Sequence, residues 1–222
     1  DLIFYKEGAK ADPYSPDFTT LPWTFSMCAH PTRGYWVIEA DGTVHGFGDA
    51  ADYDSTAFGT VPLSAVHPDN KSIAMCAHPD GKGYWVLDLV GNVYAYGSAT
   101  HYGEYLVPWP GASVWGEDGL AAWDITPTYT GNGYWVIYGD GNVRGFGDAS
   151  PSSATLPWTS VGIYMNTVIN DKWLIQHQGN GIAGHPTKMG FWATTGSGEV
   201  YAYGDAVQYG QLDQRVYNAG MA

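Results

Sequence analysis

The sequence predicts an all-β fold, and within that class a β-propeller, on three observations. The block Gly34-Tyr35-Trp36-Val37 running on to Gly48-Asp49-Ala50 returns at 83–99, 133–149 and 190–206. Its tryptophans, Trp36, Trp85, Trp135 and Trp192, recur about every 50 residues, a period that belongs to repeat architectures. No stretch sustains the 3.6-residue apolar period of a helix, whereas aromatic and β-branched runs of strand length fill every repeat. Four short strands per repeat suit the four-stranded blades that propellers set around a central channel.

The repeats are expected at about 25–72, 73–119, 120–180 and 181–212, within one domain covering 1–222 that belongs to a longer protein. Each opens with a short apolar strand (25–29, 73–77, 120–125, 181–184) ending at His30-Pro31, His78-Pro79, Thr126-Pro127 or His185-Pro186. A polar, Gly-containing turn leads to the Tyr-Trp-Val strand. Asp41-Gly42 and Asp140-Gly141 then supply tight hairpin turns, where glycine provides the positive φ. A strand of the Val44-His45-Gly46-Phe47 type follows, and segments 53–58 and 102–107 are expected to add a fourth, outer strand.

Connectors link the repeats. Leu21-Pro22-Trp23, Val107-Pro108-Trp109 and Leu156-Pro157-Trp158 share one pattern, and Val61-Pro62-Leu63 keeps it without the tryptophan. Proline lacks a ladder donor and belongs at strand edges and turns. An insertion at about 161–179, carrying the apolar run 172–176, is expected to form a hairpin over one face. At the termini, 216–222 aligns with an inner strand, and 2–14 offers the remaining strands of the same unit. That predicts five blades, one a composite closed by both termini; a four-bladed ring with an added N-terminal strand is the alternative. Closure removes the sheet edges that invite aggregation.

Composition narrows the function. The formal net charge of −13 argues against nucleic acid, which needs clustered Lys and Arg, and against an anionic membrane surface. No apolar run is long enough for a membrane helix, so the protein is not expected to be membrane-embedded. The chain opens at Asp1 without a signal-peptide pattern, which reads as a mature product or a segment of a longer protein. Cys28 and Cys76 hold the same place in successive repeats and are expected as two buried thiols, because such positions seldom meet disulfide geometry.

The repeated Gly-Tyr-Trp-Val…Asp-Gly-x-Val…Gly-Phe-Gly-Asp-Ala resembles a repeat of actinobacterial secreted and cell-surface proteins, and of minor tail and tail-fibre proteins of the phages that infect those bacteria. Residues 34–50 and 133–149 match it best. The second unit departs from it at Leu89-Val90 and Ser98, the fourth at Phe191, Ala193 and Ser197. The resemblance covers about 26–211 and implies an extracellular propeller on a virion tail or cell surface. It transfers no catalytic signature.

Individual residues divide into scaffold and candidate site. Trp36, Trp85, Trp135 and Trp192, with Tyr35, Tyr84 and Tyr134, are expected to pack between blades. Asp49, Asp148 and Asp205 are expected to hold turns through backbone N–H bonds. His30, His78 and His185 are expected to stabilise turns, with Thr126 in their place in the third unit. No metal site, calcium loop or cofactor motif is expected. The tryptophans outside the repeated strands, Trp23, Trp109, Trp115, Trp158 and Trp173, are the candidate ligand-binding residues, since loops carry binding and aromatic rings suit the CH faces of sugars. No catalytic residue is assigned: glycosidases need two facing carboxylates, and the non-repeating Glu104, Glu117, Asp118 and Asp171 make no such pair. The expected function is recognition of a cell-envelope polysaccharide or surface receptor. A structural docking block among tail or cell-surface subunits is the alternative, and a polysaccharide-active enzyme ranks third.

Overall fold

The computed structural model describes residues 24–39, 41–62, 72–107, 121–156, 168–169, 172–173, 181–195 and 198–212. It is an all-β protein made of small antiparallel sheets. The first sheet holds β1 (Thr24–Ala29), β2 (Gly34–Glu39) and β3 (Val44–Gly48). The second repeats it with β4 (Ser72–Ala77), β5 (Gly83–Asp88) and β6 (Val93–Gly97). The third has β7 (Ala122–Pro127), β8 (Gly133–Tyr138), β9 (Asn142–Gly147) and an outer β10 (Ser153–Thr155). A two-stranded ladder, β11 (Val168–Ile169) with β12 (Lys172–Trp173), lies in the insertion. The last sheet is β13 (Gly181–Gly184), β14 (Gly190–Thr194) and β15 (Val200–Gly204).

Sheets follow one another side by side. β1 lies alongside β4, β4 alongside β7, and β7 alongside β13, so the first strand of each unit neighbours the first strand of the next. β5 and β8 are buried along their whole length, whereas β2 alternates between buried and partly exposed residues. A central strand flanked by sheets on both faces needs apolar side chains at every position, which is why Tyr-Trp-Val-Leu and Tyr-Trp-Val-Ile break the usual alternation.

One residue pair builds each joint. The indole of Trp36 meets the ring of Tyr84 at 5.7 Å, Trp85 meets Tyr134 at 5.6 Å, and Trp135 meets Phe191 at 5.2 Å between centroids. The indole N–H, which must find an acceptor when buried, donates to a backbone carbonyl of its own unit's outer segment. The acceptors are Tyr53, Thr100, Pro151 and Val207, at 2.8, 2.9, 3.0 and 2.8 Å. Trp36, Trp85 and Trp135 therefore do what the repeat predicts, packing between sheets while tying down the returning chain; Trp192 keeps the tie but is only partly buried, and Tyr35 is exposed.

Three expectations need correction. The outer segments are not uniformly strands: 53–58 begins at the last residue of a short 3-10 turn (Ala51–Tyr53) and holds a one-turn helix (Ser55–Phe58), and 102–107 is irregular. Side chains take over the edge donors that a fourth strand would have used. Val44 N–H donates to Ser55 Oγ at 2.8 Å, and Val93 N–H to Glu104 Oε2 at 3.0 Å. Among the described residues, only the third sheet gains its fourth strand. The absence of helix also fails at 55–58, where Asp54 accepts the Thr56 N–H at 2.7 Å as an N-cap. That turn carries Phe58 into the first joint, 6.3 Å from Tyr84 and from Tyr96.

The third correction is a register. Thr128, not Thr126, holds the histidine's place in the third unit: its N–H donates to Gly133 as those of His30, His78 and His185 do to Gly34, Gly83 and Gly190. Thr126 instead faces Trp135 across the sheet, as Cys28 faces Trp36 and Cys76 faces Trp85. Both cysteines are free thiols. Cys28 is half-buried, and burial pushes its thiol up to about 12; Cys76 is buried and raised for the same reason.

Candidate functional site

Every sheet has two distinct ends. At one, here the corner end, the first strand turns into the second and the third strand leaves. At the other, the hairpin end, the second and third strands are joined.

The corner end is closed on itself. His30 Nε2 lies 3.0 Å from the Gly81 carbonyl of the next unit, which makes Nε2 the protonated nitrogen and leaves Nδ1 to accept the Thr32 N–H at 3.2 Å. His185 Nδ1 accepts the Thr187 N–H in the same way. The expected turn-forming histidine is thus present, and it also reaches across a joint. The Gly-Asp-Ala aspartates work differently from the expected backbone capping. Asp49 accepts from the Thr32 hydroxyl at 2.8 Å and from Arg33 at 3.1 Å, and these two hold its carboxyl below the usual range. Asp148 accepts from the hydroxyls of Thr128 and Thr130 at 2.9 and 2.6 Å. In the second unit the partners exchange: Ser98 stands where aspartate is expected, and its hydroxyl donates to Asp80 at 2.7 Å. Each bond ties the third strand's exit to the first turn. No group of three or more His, Cys, Asp or Glu fit to hold a metal occurs among the described residues.

The hairpin end shows a similar migration. Asp41 and Asp140 each accept the N–H two residues on, at 2.8 and 2.9 Å. In the second unit, which has Val90 at that position, Asp88 accepts the N–H groups of Val90, Gly91 and Asn92 at 3.1, 3.0 and 2.9 Å. In the fourth unit the Thr195 hydroxyl accepts the Glu199 N–H at 3.2 Å. The turn keeps its acceptor whichever residue supplies it.

The same end gathers the connectors. Val61, Leu156 and Leu212 donate their N–H to the hairpin glycines Gly42, Gly141 and Gly198, and Val107 donates to Val90 beside Gly91. The next inner strands start there too, since Thr24, Ser72, Ala122 and Gly181 pair with Glu39, Asp88, Tyr138 and Thr194 at the ends of the middle strands. Connectors 63–71, 108–120 and 157–180 therefore leave and return at one end of the sheets.

Trp23, Trp109, Trp115 and Trp158 lie outside the described residues. Trp173 is described only through its backbone, which pairs with Val168 in the β11–β12 hairpin. That ladder agrees with the expected hairpin in the insertion at the residues described. All five tryptophans belong to segments tethered at the hairpin end: Trp23 directly precedes β1, Trp109 and Trp115 lie between Val107 and Ala121, and Trp158 and Trp173 between Leu156 and Gly181.

A further cluster escaped the sequence reading. The Arg144 guanidinium sits 3.6 Å from the centroid of the Tyr105 ring and 5.8 Å from that of Tyr138. The Tyr138 hydroxyl donates to the Tyr105 carbonyl at 3.1 Å. Tyr105 and Leu106 are exposed, just before the connector bearing Trp109 and Trp115. The signal was available as a break in the repeat: Arg144 stands where the other units have His45, Tyr94 and Tyr201. Its Nε is shielded from solvent with no hydrogen-bond partner among the described residues, and the guanidinium stacks on the Tyr105 ring.

Across the joint between the third and fourth units, Asp124 accepts the Ile182 N–H at 3.0 Å and Thr126 accepts the Gly184 N–H at 2.8 Å. Burial raises the Asp124 carboxyl above its ordinary value. The folded chain thus holds this proton more tightly than the unfolded one. Its contribution to stability is full below the unfolded value of about 3.9 and declines as pH rises through the window up to the raised folded value. Asp124→Asn removes that titration and keeps an acceptor for Ile182. Its unfolding free energy, measured by denaturant titration, is expected to fall less between pH 4 and 7 than that of the native chain; an identical pH profile contradicts the assignment.

No protein-family model matches the chain, and no curated protein matches it.

Proposed function

We propose that the chain is a non-catalytic β-propeller of five units, one assembled from both termini, and that its hairpin-end face binds a glycan of the actinobacterial cell envelope. It acts outside the cell, as the adhesion module of a phage tail or of a secreted surface protein. One observation carries the binding reading: the connectors bearing Trp109, Trp115, Trp158 and Trp173 leave from and return to the same end of the sheets, and the segment bearing Trp23 enters β1 there. The opposite end is made of short turns whose hydroxyls, histidines and carboxylates bind one another. Loops held on a rigid scaffold are where recognition concentrates, and Tyr105 with Arg144 extends the aromatic surface beside the Trp109 connector. The side-by-side inner strands, the joints built by Trp36, Trp85 and Trp135, and the repeat's resemblance support the propeller.

The test is titration of the chain with polysaccharide fractions of actinobacterial envelopes by calorimetry. Trp109→Ala and Trp158→Ala are each expected to weaken binding by about 30-fold, the equivalent of about 2 kcal/mol for an aromatic anchor, without lowering the melting temperature. The reading is abandoned if the native chain binds no envelope fraction, or if both variants bind as the native chain does.

A further inference from the structure

Resting on the reading that the hairpin-end face binds a glycan, we infer that Arg144 forms a subsite there for an acidic group, so that the ligand is a carboxylate- or phosphate-bearing polymer.

Comparison with the other units defines the position. Arg144 pairs with Val136 across the sheet, as His45 does with Val37, Tyr94 with Val86 and Tyr201 with Ala193. Each of the other three has an acid beside it. His45 Nε2 lies 2.9 Å from Glu39, the Tyr94 hydroxyl donates to Asp88 at 3.3 Å, and Tyr201 hydrogen-bonds Glu199. Glu39 and Asp88 end the middle strands β2 and β5, and the residue that ends β8 in their place is Tyr138. The third unit thus has a tyrosine in place of the acid and a guanidinium in place of the aromatic ring. In a chain of net charge −13, that reverses the local sign.

The guanidinium is anchored without being neutralised. Its Cζ sits 3.6 Å over the Tyr105 ring centroid. Tyr105 is itself fixed: its carbonyl accepts the Tyr138 hydroxyl at 3.1 Å, and its ring meets that of Tyr138 edge-on at 5.6 Å. No carboxylate among the described residues makes an ion pair with Arg144. Asp140, on the same hairpin, accepts from the Asn142 backbone N–H and side-chain amide at 2.9 and 2.6 Å instead. Of the guanidinium nitrogens, only Nε is sealed from solvent without a partner. The terminal nitrogens, which carry the fork that fits a carboxylate or phosphate, stay open to an incoming ligand. A half-buried cation with no counter-charge is screened less than a surface one, and it gains correspondingly more from an arriving anion. Tyr105 and Leu106 are exposed beside it, so an acidic group on the guanidinium brings the neighbouring CH groups of the polymer onto an apolar surface.

Side-chain nitrogen NMR of the full chain tests the inference, in titrations with oligomers of glucuronic acid, of glycerol phosphate and of glucose. The Arg144 Nε–H signal is identified by its loss in Arg144→Lys, and Arg33, paired with Asp49 at 3.1 Å, is the internal reference. A saturable shift of the Arg144 signal is expected with an acidic oligomer, the more effective of the two telling carboxylate from phosphate. Arg33 is expected to stay still, and the glucose oligomer to move neither signal. Equal shifts at both arginines, or none at Arg144, overturn the subsite. In calorimetry with the same acidic oligomer, Arg144→Gln is expected to bind about tenfold more weakly. Arg144→Lys, which keeps the charge without the fork, is expected to lose less. Unchanged binding in Arg144→Gln overturns the subsite; if that variant does not fold by circular dichroism, unchanged binding in Arg144→Lys together with equal affinity of the native chain for the glucose oligomer does so. Envelope fractions separated by charge keep the two readings apart. Binding of neutral fractions alone removes the subsite and leaves the glycan reading standing, whereas binding of an acidic oligomer with no envelope fraction bound does the reverse.

Discussion

Replacing Trp135 with alanine is expected to lower stability by about 3–5 kcal/mol, the range for deleting a large buried ring. For a chain of this size that is a melting-temperature drop on the order of 10 °C, read by circular dichroism. Three losses combine. The indole is fully buried, it closes the joint to Phe191 at 5.2 Å, and its N–H holds the Pro151 carbonyl and with it the turn into β10. Trp192 occupies the same place in the fourth unit but is only partly buried by the described residues. Under the five-unit reading Trp192→Ala is expected to cost as much as Trp135→Ala; a clearly smaller loss would mean that no further unit covers that face.

Gly83→Ala is expected to cost about 3 kcal/mol although alanine is the smallest change available. An added Cβ would land directly on the Tyr96 carbonyl oxygen and 2.8 Å from the amide nitrogens of Ser98 and Ala99. These are backbone atoms, which cannot turn aside. They are close because Ser98 N–H folds back to the Lys82 carbonyl at 3.0 Å, the bond that Asp49, Asp148 and Asp205 repeat with Arg33, Asn132 and Met189. Gly83 is therefore required by close approach rather than by its own dihedral angle. Gly59 is the control, since it has φ +81 but nothing within 4 Å of its added Cβ. Gly59→Ala is expected to cost only the left-handed backbone penalty, about 1–2 kcal/mol. Equal losses at the two glycines, in urea titrations, would remove the close-approach explanation.

Much of the scaffold is legible in the sequence. Trp36, Trp85, Trp135 and Trp192 announced the period, and a mid-strand position in every unit marked them as packing residues. Asp41-Gly42 and Asp140-Gly141 announced hairpins, and both turns formed. The candidate tryptophans stood out because they fall in the connectors and the insertion. Their common tether at the hairpin end was not legible, because it follows from which strand ends pair, a relation between residues far apart in sequence.

The departures from the repeat were visible as well, but their meaning was not. Ser98 and Val90 looked like losses of an aspartate; the structure shows Asp80 and Asp88 supplying the carboxylate from another position. Arg144 is marked in the sequence only by its break from the repeat, and Tyr105 and Tyr138 close around it in the folded chain. Local pattern by itself determined the all-β class, the repeat and the strand order, since strand and turn preferences act over a few residues. Tertiary structure alone decided the third unit's register, the replacement of outer strands by Ser55 and Glu104, and the end of the sheets from which the connectors emerge. The reason is physical: a strand edge needs its donors satisfied, but any nearby oxygen will serve, and which one is near is set only when the sheets have packed.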